Sequence, residues 1–238
     1  EKVRGDVEGA CGMYKRALET KELSEEESVA ALFGYGQLME GEMGLPEKAK
    51  ALYEKALSIS PNDSATLTRY GALLHTRFGN TSDAESRYRK ALSSDPNDVS
   101  ALTNYALLLQ QLGRNTEAGE LHDKATSLAP DDPVPLCNLA QFLHKKKGKH
   151  KEARKLYRRA LRSDPDHVPS LVGLGVLVGK FKANYSHAQA LFERALDVDP
   201  ECEDAKEGYM QCLSLAEGAL VQDTEDEEYR MMAKMAEE

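Results

Sequence analysis

Nowhere does this 238-residue chain stay apolar for long. Its longest uninterrupted apolar-plus-glycine run is Leu171 to Gly179, nine residues, against the roughly 20 that a membrane-crossing helix needs. No basic-then-apolar leader opens the chain. Cysteine is scarce, and Cys11, Cys137, Cys202 and Cys212 show neither CxxC spacing nor histidines at zinc spacing. They read as free thiols in a reducing, intracellular setting, cytoplasmic by default, with an organelle left open. An excess of basic charge is missing as well. The 31 Lys and Arg face 40 Asp and Glu, a net charge of −9, which argues against nucleic acid as the main partner of the whole surface. Composition therefore disfavours a disulfide scaffold, a membrane span and a collagen-like or disordered chain. What is present is 41 % hydrophobic residues, enough for one or two domains with real cores. The chain opens without Met, so the expectation is a stretch of a longer protein whose native N-terminus lies elsewhere.

Internal repetition dominates everything else. Pro61, Pro96, Pro130, Pro165 and Pro200 are spaced by 35, 34, 35 and 35 residues. Ahead of them come alanines at one phase (Ala49, Ala84, Ala118, Ala153, Ala188) and again seven residues later (Ala56, Ala91, Ala125, Ala160, Ala195). A ring falls between them: Tyr53, Tyr88, His122, Tyr157, Phe192. The first half of each unit repeats too. Leu32, Leu67, Leu102, Leu136 and Leu171 are followed by Tyr35, Tyr70, Tyr105, Leu139 and Leu174, and then by Gly36, Gly71, Ala106, Ala140 and Gly175. Apolar positions at i, i+3, i+4 and i+7 make each half an amphipathic helix. The small residues fall where helix axes approach to about 8–10 Å. Each proline closes a second helix because it has no N–H for the ladder. Asp63, Asp98 and Asp132 are N-cap candidates for the helices that follow, and Pro133 suits a first helical position.

The pattern L-x2-[YL]-[GA] … A-x3-[YHF]-x2-A-x4-P resembles the tetratricopeptide repeat family. Five full repeats match, at about 29–63, 64–98, 99–132, 133–167 and 168–202. Leucine stands where the family usually has its first Trp, His122 replaces an aromatic ring, and four repeats carry one extra residue between their helices. The 35-residue spacing is shared with the RNA-binding pentatricopeptide family, but the closing Ala-x4-Pro and the acidic balance favour the tetratricopeptide reading. The resemblance implies an all-α, right-handed superhelical solenoid of antiparallel helix pairs. Residues 1–28 would hold the second helix of a truncated preceding repeat plus an acidic connection. Residues 203–216 would be a capping helix, with Lys206 and Met210 at normally apolar and small positions. The acidic, Met-containing tail is 217–238.

Catalytic chemistry has little support. Gly173, Gly175 and Gly179 are one residue off a dinucleotide fingerprint, but no strand precedes them. The histidines do not pair at ligand spacing, and the Asn62, Asn80 and Asn184 sequons carry little weight without a secretion signal. The expectation is no enzyme, no cofactor, no metal and no small-molecule substrate. In the family, stacked first helices line a concave groove. The resemblance places groove residues two after each leading leucine: Gly34, Arg69, Asn104, Asn138, Gly173 and Gly208. Asn104 and Asn138 can clamp an extended peptide backbone, since each amide offers a donor and an acceptor. Arg69 can catch an acidic group, and Gln141 is a fourth groove candidate. The family's carboxylate-gripping positions carry Phe33, Gln37, Val134 and Asn138 here, which disfavours a chaperone-tail receptor.

One charge feature interrupts the acidic balance. Lys145, Lys146, Lys147, Lys149, Lys151, Arg154, Lys155, Arg158, Arg159 and Arg162 face a single Glu152 between residues 144 and 162, a net +9. From Asp197 to Glu238 the net charge is −11, 14 acidic residues against three basic. A solvated face is the plain reading; among the functional readings, an acidic protein partner ranks ahead of contact with the acidic tail and of a phosphate ligand. The basic loop lacks rings that stack on bases, which weakens RNA. In the tail, Tyr229, Met232 and Met235 fall at helical spacing and are expected to dock a short helix on a partner or on the repeats. The expected function is a protein–protein interaction scaffold or adaptor, part of a larger assembly, that binds a partner protein or extended peptide. The alternatives are RNA binding through the basic stripe and a substrate-recruiting arm of a larger enzyme.

Overall fold

The computed structural model describes residues 2–20, 23–182 and 184–216. Among them are twelve helices and no strand. The chain divides into two compact units, 1–128 and 129–238. The first holds α1 (Lys2–Glu19), α2 (Glu25–Glu40), α3 (Pro46–Ile59), α4 (Ser64–Thr76), α5 (Thr81–Ser94), α6 (Val99–Gln111) and α7 (Asn115–Leu128). The second holds α8 (Pro133–Lys147), α9 (His150–Ser163), α10 (Val168–Lys182), α11 (Tyr185–Val198) and α12 (203–216).

Helix ends follow the local chemistry. Asp63, Asp98 and Asp132 accept from the backbone N–H of Thr66, Ala101 and Val134, capping α4, α6 and α8. Pro133 opens α8, where its missing N–H costs nothing. Asn80 and Asn184, two of the sequons, cap α5 and α11 instead. Second helices α3, α5, α7, α9 and α11 end two residues before Pro61, Pro96, Pro130, Pro165 and Pro200. One boundary differs from expectation. The sequence reading runs the acidic connection to Ser28, but α2 begins at Glu25, because Ser24 and Glu27 form a capping box that starts the helix four residues before position 29.

The turn from first to second helix carries a glycine outside the repeat pattern given above. Gly44, Gly79, Gly113 and Gly148 all take φ between 60° and 78°, a region in which a side chain is strained. Three of these turns are tied by a six-residue backward bond: Leu45 N–H to Met39, Asn80 N–H to Leu74 and Lys149 N–H to Leu143. The short third repeat loses its residue here, with three residues between α6 and α7 against four between α4 and α5.

Packing follows from the rings. Tyr53, Tyr88, His122, Tyr157 and Phe192 are at most 1 % exposed. Tyr53, Tyr88, Tyr157 and Phe192 each sit where a glycine lets the neighbouring backbone in. A Cβ on Gly36 would run into the Tyr53 ring, and one on Gly175 would lie 2.9 Å from Phe192. Successive first helices touch, α4 with α6 in the first unit and α8 with α10 in the second. The second unit's core joins α8 to α12 through Cys137, Leu171, Leu177, Phe192, Ala205 and Cys212. All four cysteines are free.

Candidate functional site

In the first unit the position two after the leading leucine is drawn into the repeat-to-repeat seam at Gly34 and Arg69. Gly34 lies against Tyr14, whose hydroxyl would be 2.6 Å from a Cβ there. Arg69 donates from Nε to Glu40 Oε2 at 2.9 Å, and the Tyr53 hydroxyl donates to the same oxygen at 3.1 Å. Glu40 is 8 % exposed, so Arg69 neutralises a buried carboxylate. Burial pushes the Tyr53 hydroxyl up, and Glu40 reinforces it. Burial alone would lower the Arg69 guanidinium, but Glu40 and Tyr53 hold it above its ordinary value. Further seams repeat the device. Tyr70 donates to Glu54 at 2.7 Å and Tyr105 to Glu85 at 2.9 Å, with Arg89 and Arg114 on the Glu85 carboxylate.

Arg69 and Asn104 share a concavity of about 240 Å³ with Phe33, Gln37, Thr68 and Asp98. Its anionic member is already satisfied. Asp98 Oδ2 accepts from Ser64 and Thr68 at 2.8 and 3.0 Å, while Oδ1 caps α6. Asn104 is half-buried and its side chain makes no hydrogen bond among the described residues. Asn138, at the same repeat position, belongs to the second unit and is also half-buried.

The second unit has a groove of another kind. Glycine occupies the equivalent position twice. A Cβ on Gly173 would lie 2.5 Å from Tyr157, and one on Gly208 would run into the Phe192 ring. The backbones of α10 and α12 therefore rest directly on those rings. Above them, α8, α10 and α12 line a concavity of about 410 Å³. Its floor is Val168, Val172 and Val176, and Val176 is 38 % exposed. Gln141 and Lys145 stand on the α8 side, with Asp204, Glu207 and Gln211 on the α12 side. Gln141 reaches the Cys137 sulfur at 3.7 Å. Lys145, Asp204 and Glu207 are exposed and have no opposite charge within 4 Å among the described residues.

The basic stretch is not one surface. Lys145 lines the groove, Lys147 lies over the Phe142 ring at 5.7 Å, and Lys149 pairs with Glu152 at 3.2 Å. Lys146 lies exposed at the end of α8. On α9, Ala153, Tyr157 and Ala160 are buried, while Lys151, Lys155, Arg158 and Arg162 are exposed. Arg159 approaches Asp131 at 3.7 Å. Lys151, Arg154, Lys155, Arg158 and Arg162 have no carboxylate within 4 Å among the described residues. This stripe lies on a second helix, whereas first helices line the groove.

Two histidines do come together, contrary to expectation. His144 and His150 meet edge-on with ring centroids 5.2 Å apart, because the Gly148 turn folds α9 back on α8. Six residues of chain across a turn do not show in helical spacing. No group of three or more metal-ligating side chains occurs among the described residues. Gly173, Gly175 and Gly179 all lie on α10, the first two under rings. No helix among the described residues is long and apolar enough to cross a membrane. Tyr229, Met232 and Met235 lie outside the described residues.

Stacked antiparallel helix pairs, with first helices lining a groove, define a helical-repeat protein. Models of one family, the tetratricopeptide repeat, match residues 30–63 and 98–165, and the twelve helices among the described residues fit at least five tandem repeats of that kind. Such proteins are generally non-catalytic interaction scaffolds. The chain is similar in fold to a thermophilic TPR protein, TTC0263 of Thermus thermophilus, with 16 % identity over 78 % of this chain and 98 % of that one, TM-score 0.66. It is similar to PilF of Pseudomonas aeruginosa, with 23 % identity over 85 % and 99 %, TM-score 0.63. It is also similar to YrrB, described as a TPR protein with an unusual peptide-binding site, with 19 % identity over 82 % and 96 %, TM-score 0.52. Identities this low speak for the fold alone. A search of curated proteins finds no match.

Proposed function

We propose that this chain is a non-enzymatic scaffold or adaptor that holds an extended segment of a partner protein in the groove of its second unit. The observation that carries the reading is the floor of Val168, Val172 and Val176 between α8 and α12, left open and partly exposed. Glycines at 173 and 208 let α10 and α12 settle directly on the Tyr157 and Phe192 rings, which fixes the spacing of the helices that line the groove. Its volume, about 410 Å³, lies in the range of built ligand sites. YrrB, with the same fold, has a peptide-binding site. Asn104 and Asn138 each add a backbone clamp to their own unit, one donor and one acceptor apiece. Four free cysteines suit an intracellular setting. The test is a pull-down from cell extract with the wild-type chain and with Val172→Asp plus Val176→Asp. Partners captured by the first and lost by the second, at unchanged melting temperature, support the reading. An identical set of partners from both refutes it.

The α9 stripe favours a second contact, with an acidic protein surface. Five cations without carboxylate partners in i, i+4 rows form a field that attracts such a surface. Because the stripe lies on a second helix and the groove carries Asp204 and Glu207, neither surface is a continuous basic channel of the kind single-stranded RNA requires.

A further inference from the structure

We infer that the groove of the second unit reads charge order. Its ligand is an extended segment with an acidic side chain over α8, an aliphatic side chain over α10 and a basic side chain over α12. The inference rests on the groove reading above and adds the chemistry of the occupant.

The groove is electrically polarised. Lys145 marks the α8 side, and Asp204 and Glu207 mark the α12 side. None of the three has an opposite charge within 4 Å among the described residues. The neighbouring Lys206 is engaged with Glu201 and Glu203 at 3.3 and 2.9 Å, so it does not cancel Asp204 or Glu207. In the first unit, by contrast, the groove cation Arg69 is held by Glu40 and the groove anion Asp98 is saturated by two hydroxyls. Open charges at the two ends of an apolar floor orient a ligand, since the reversed segment sets like charges against each other at both ends. The middle of the floor is aliphatic, with Val172 and Val176 beside Gly173, so it accepts an aliphatic anchor. Two helix spacings of about 10 Å separate α8 from α12, and about six to eight extended residues bridge them at about 3.3 Å each. A nucleic acid strand is the wrong occupant, because Asp204 and Glu207 repel phosphate.

The experiment is selection of a random decapeptide display library on the full chain, with Val176→Arg as counter-selection. Enriched peptides are then titrated against wild type and against the charge exchange Lys145→Glu, Asp204→Lys, Glu207→Lys. The expected result is a shared acidic–aliphatic–basic order, loss of binding on Val176→Arg, and about tenfold weaker binding to the exchanged chain. Peptides with the opposite charge order should gain by a similar factor there. Enrichment that depends on Val176 but shows no charge order overturns this inference and leaves the groove reading standing. Enrichment unaffected by Val176→Arg, or none at all, overturns both. Melting of each variant within a few degrees of wild type excludes unfolding as the cause of lost binding.

Discussion

The two units run the same repeat and close their seams with different chemistry. In the first, tyrosines follow the leading leucines at Tyr35, Tyr70 and Tyr105, and two of these hydroxyls donate to carboxylates of the preceding repeat. In the second, Leu139 and Leu174 hold those positions, with Tyr157 and Phe192 under glycine backbones, and Tyr209 at the last such position engages Glu193 of the preceding repeat. A seam built of hydrogen-bonded ion pairs consumes the polar groups that face the groove. In the second unit the seam contacts draw on other groups, so the groove charges stay unspent. Hence the first unit carries Arg69 as a structural cation, while the second presents Lys145, Asp204 and Glu207 to solvent.

The sharpest way to break this contrast is to remove a ring. Phe192→Ala empties a fully buried site in the second unit and should cost about 3–5 kcal/mol. Because each repeat contacts only its neighbours, hydrogen exchange should accelerate across 133–216 first, with 25–128 keeping more of its protection. Equal loss in both would erase the distinction between the units.

The first unit has its own weak point in His122. Burial pushes its imidazole down to about 4, below the ordinary value near 6.5. The unfolded chain therefore binds the extra proton first, and this stabilising contribution, intact above about pH 6.5, is lost as the pH falls towards 4. His122→Phe should remove that dependence, gaining on wild type by up to about 3 kcal/mol near pH 4 relative to pH 8. Parallel stability curves for the two proteins between pH 4 and 8 would contradict it.

Arg69→Ala leaves Glu40 buried without its cation and should cost about 1–3 kcal/mol. In a double-mutant cycle, Glu40→Gln on the Arg69→Ala background should recover part of that loss. Additive losses in urea denaturation would show that the pair is not coupled. A smaller change is expected from Asn104→Ala with Asn138→Ala. Folding should stay within about 0.5 kcal/mol of wild type, while partner binding weakens by about 1–3 kcal/mol per lost clamp. An unchanged isotherm would remove both asparagines from the site. Smallest for stability is the reversal of Arg154, Arg158 and Arg162 to Glu. It should leave the melting temperature nearly in place and flatten the salt dependence of any acidic partner's affinity, measured over the range in which screening tightens.

Most of the fold is legible in the one-dimensional pattern, because period, small residue and ring each report a packing constraint that every repeat must meet. The prolines mark the ends of the second helices, and Asp63, Asp98 and Asp132 cap where their position after proline places them. Gly44, Gly79, Gly113 and Gly148 are equally readable at the same spacing and mark four of the turns from first to second helix. The site is less legible. The position two after each leucine meets the preceding repeat's ring at Gly34, Gly173 and Gly208 and its seam carboxylate at Arg69. Which of those occurs depends on a partner one repeat away, and no local pattern carries it. Lys145 reads as part of a basic run, and only the fold separates it from α9 and sets it across a groove from Asp204.

The central claim is that a partner lies in the groove of the second unit, on first helices. A photoreactive benzoylphenylalanine placed at Val176, and separately at Arg158 on α9, tests it in the full chain within the cell. Cross-links from position 176 to an extended segment of a partner protein are predicted, whatever position 158 captures. Cross-links from position 158 with none from 176 would contradict the account.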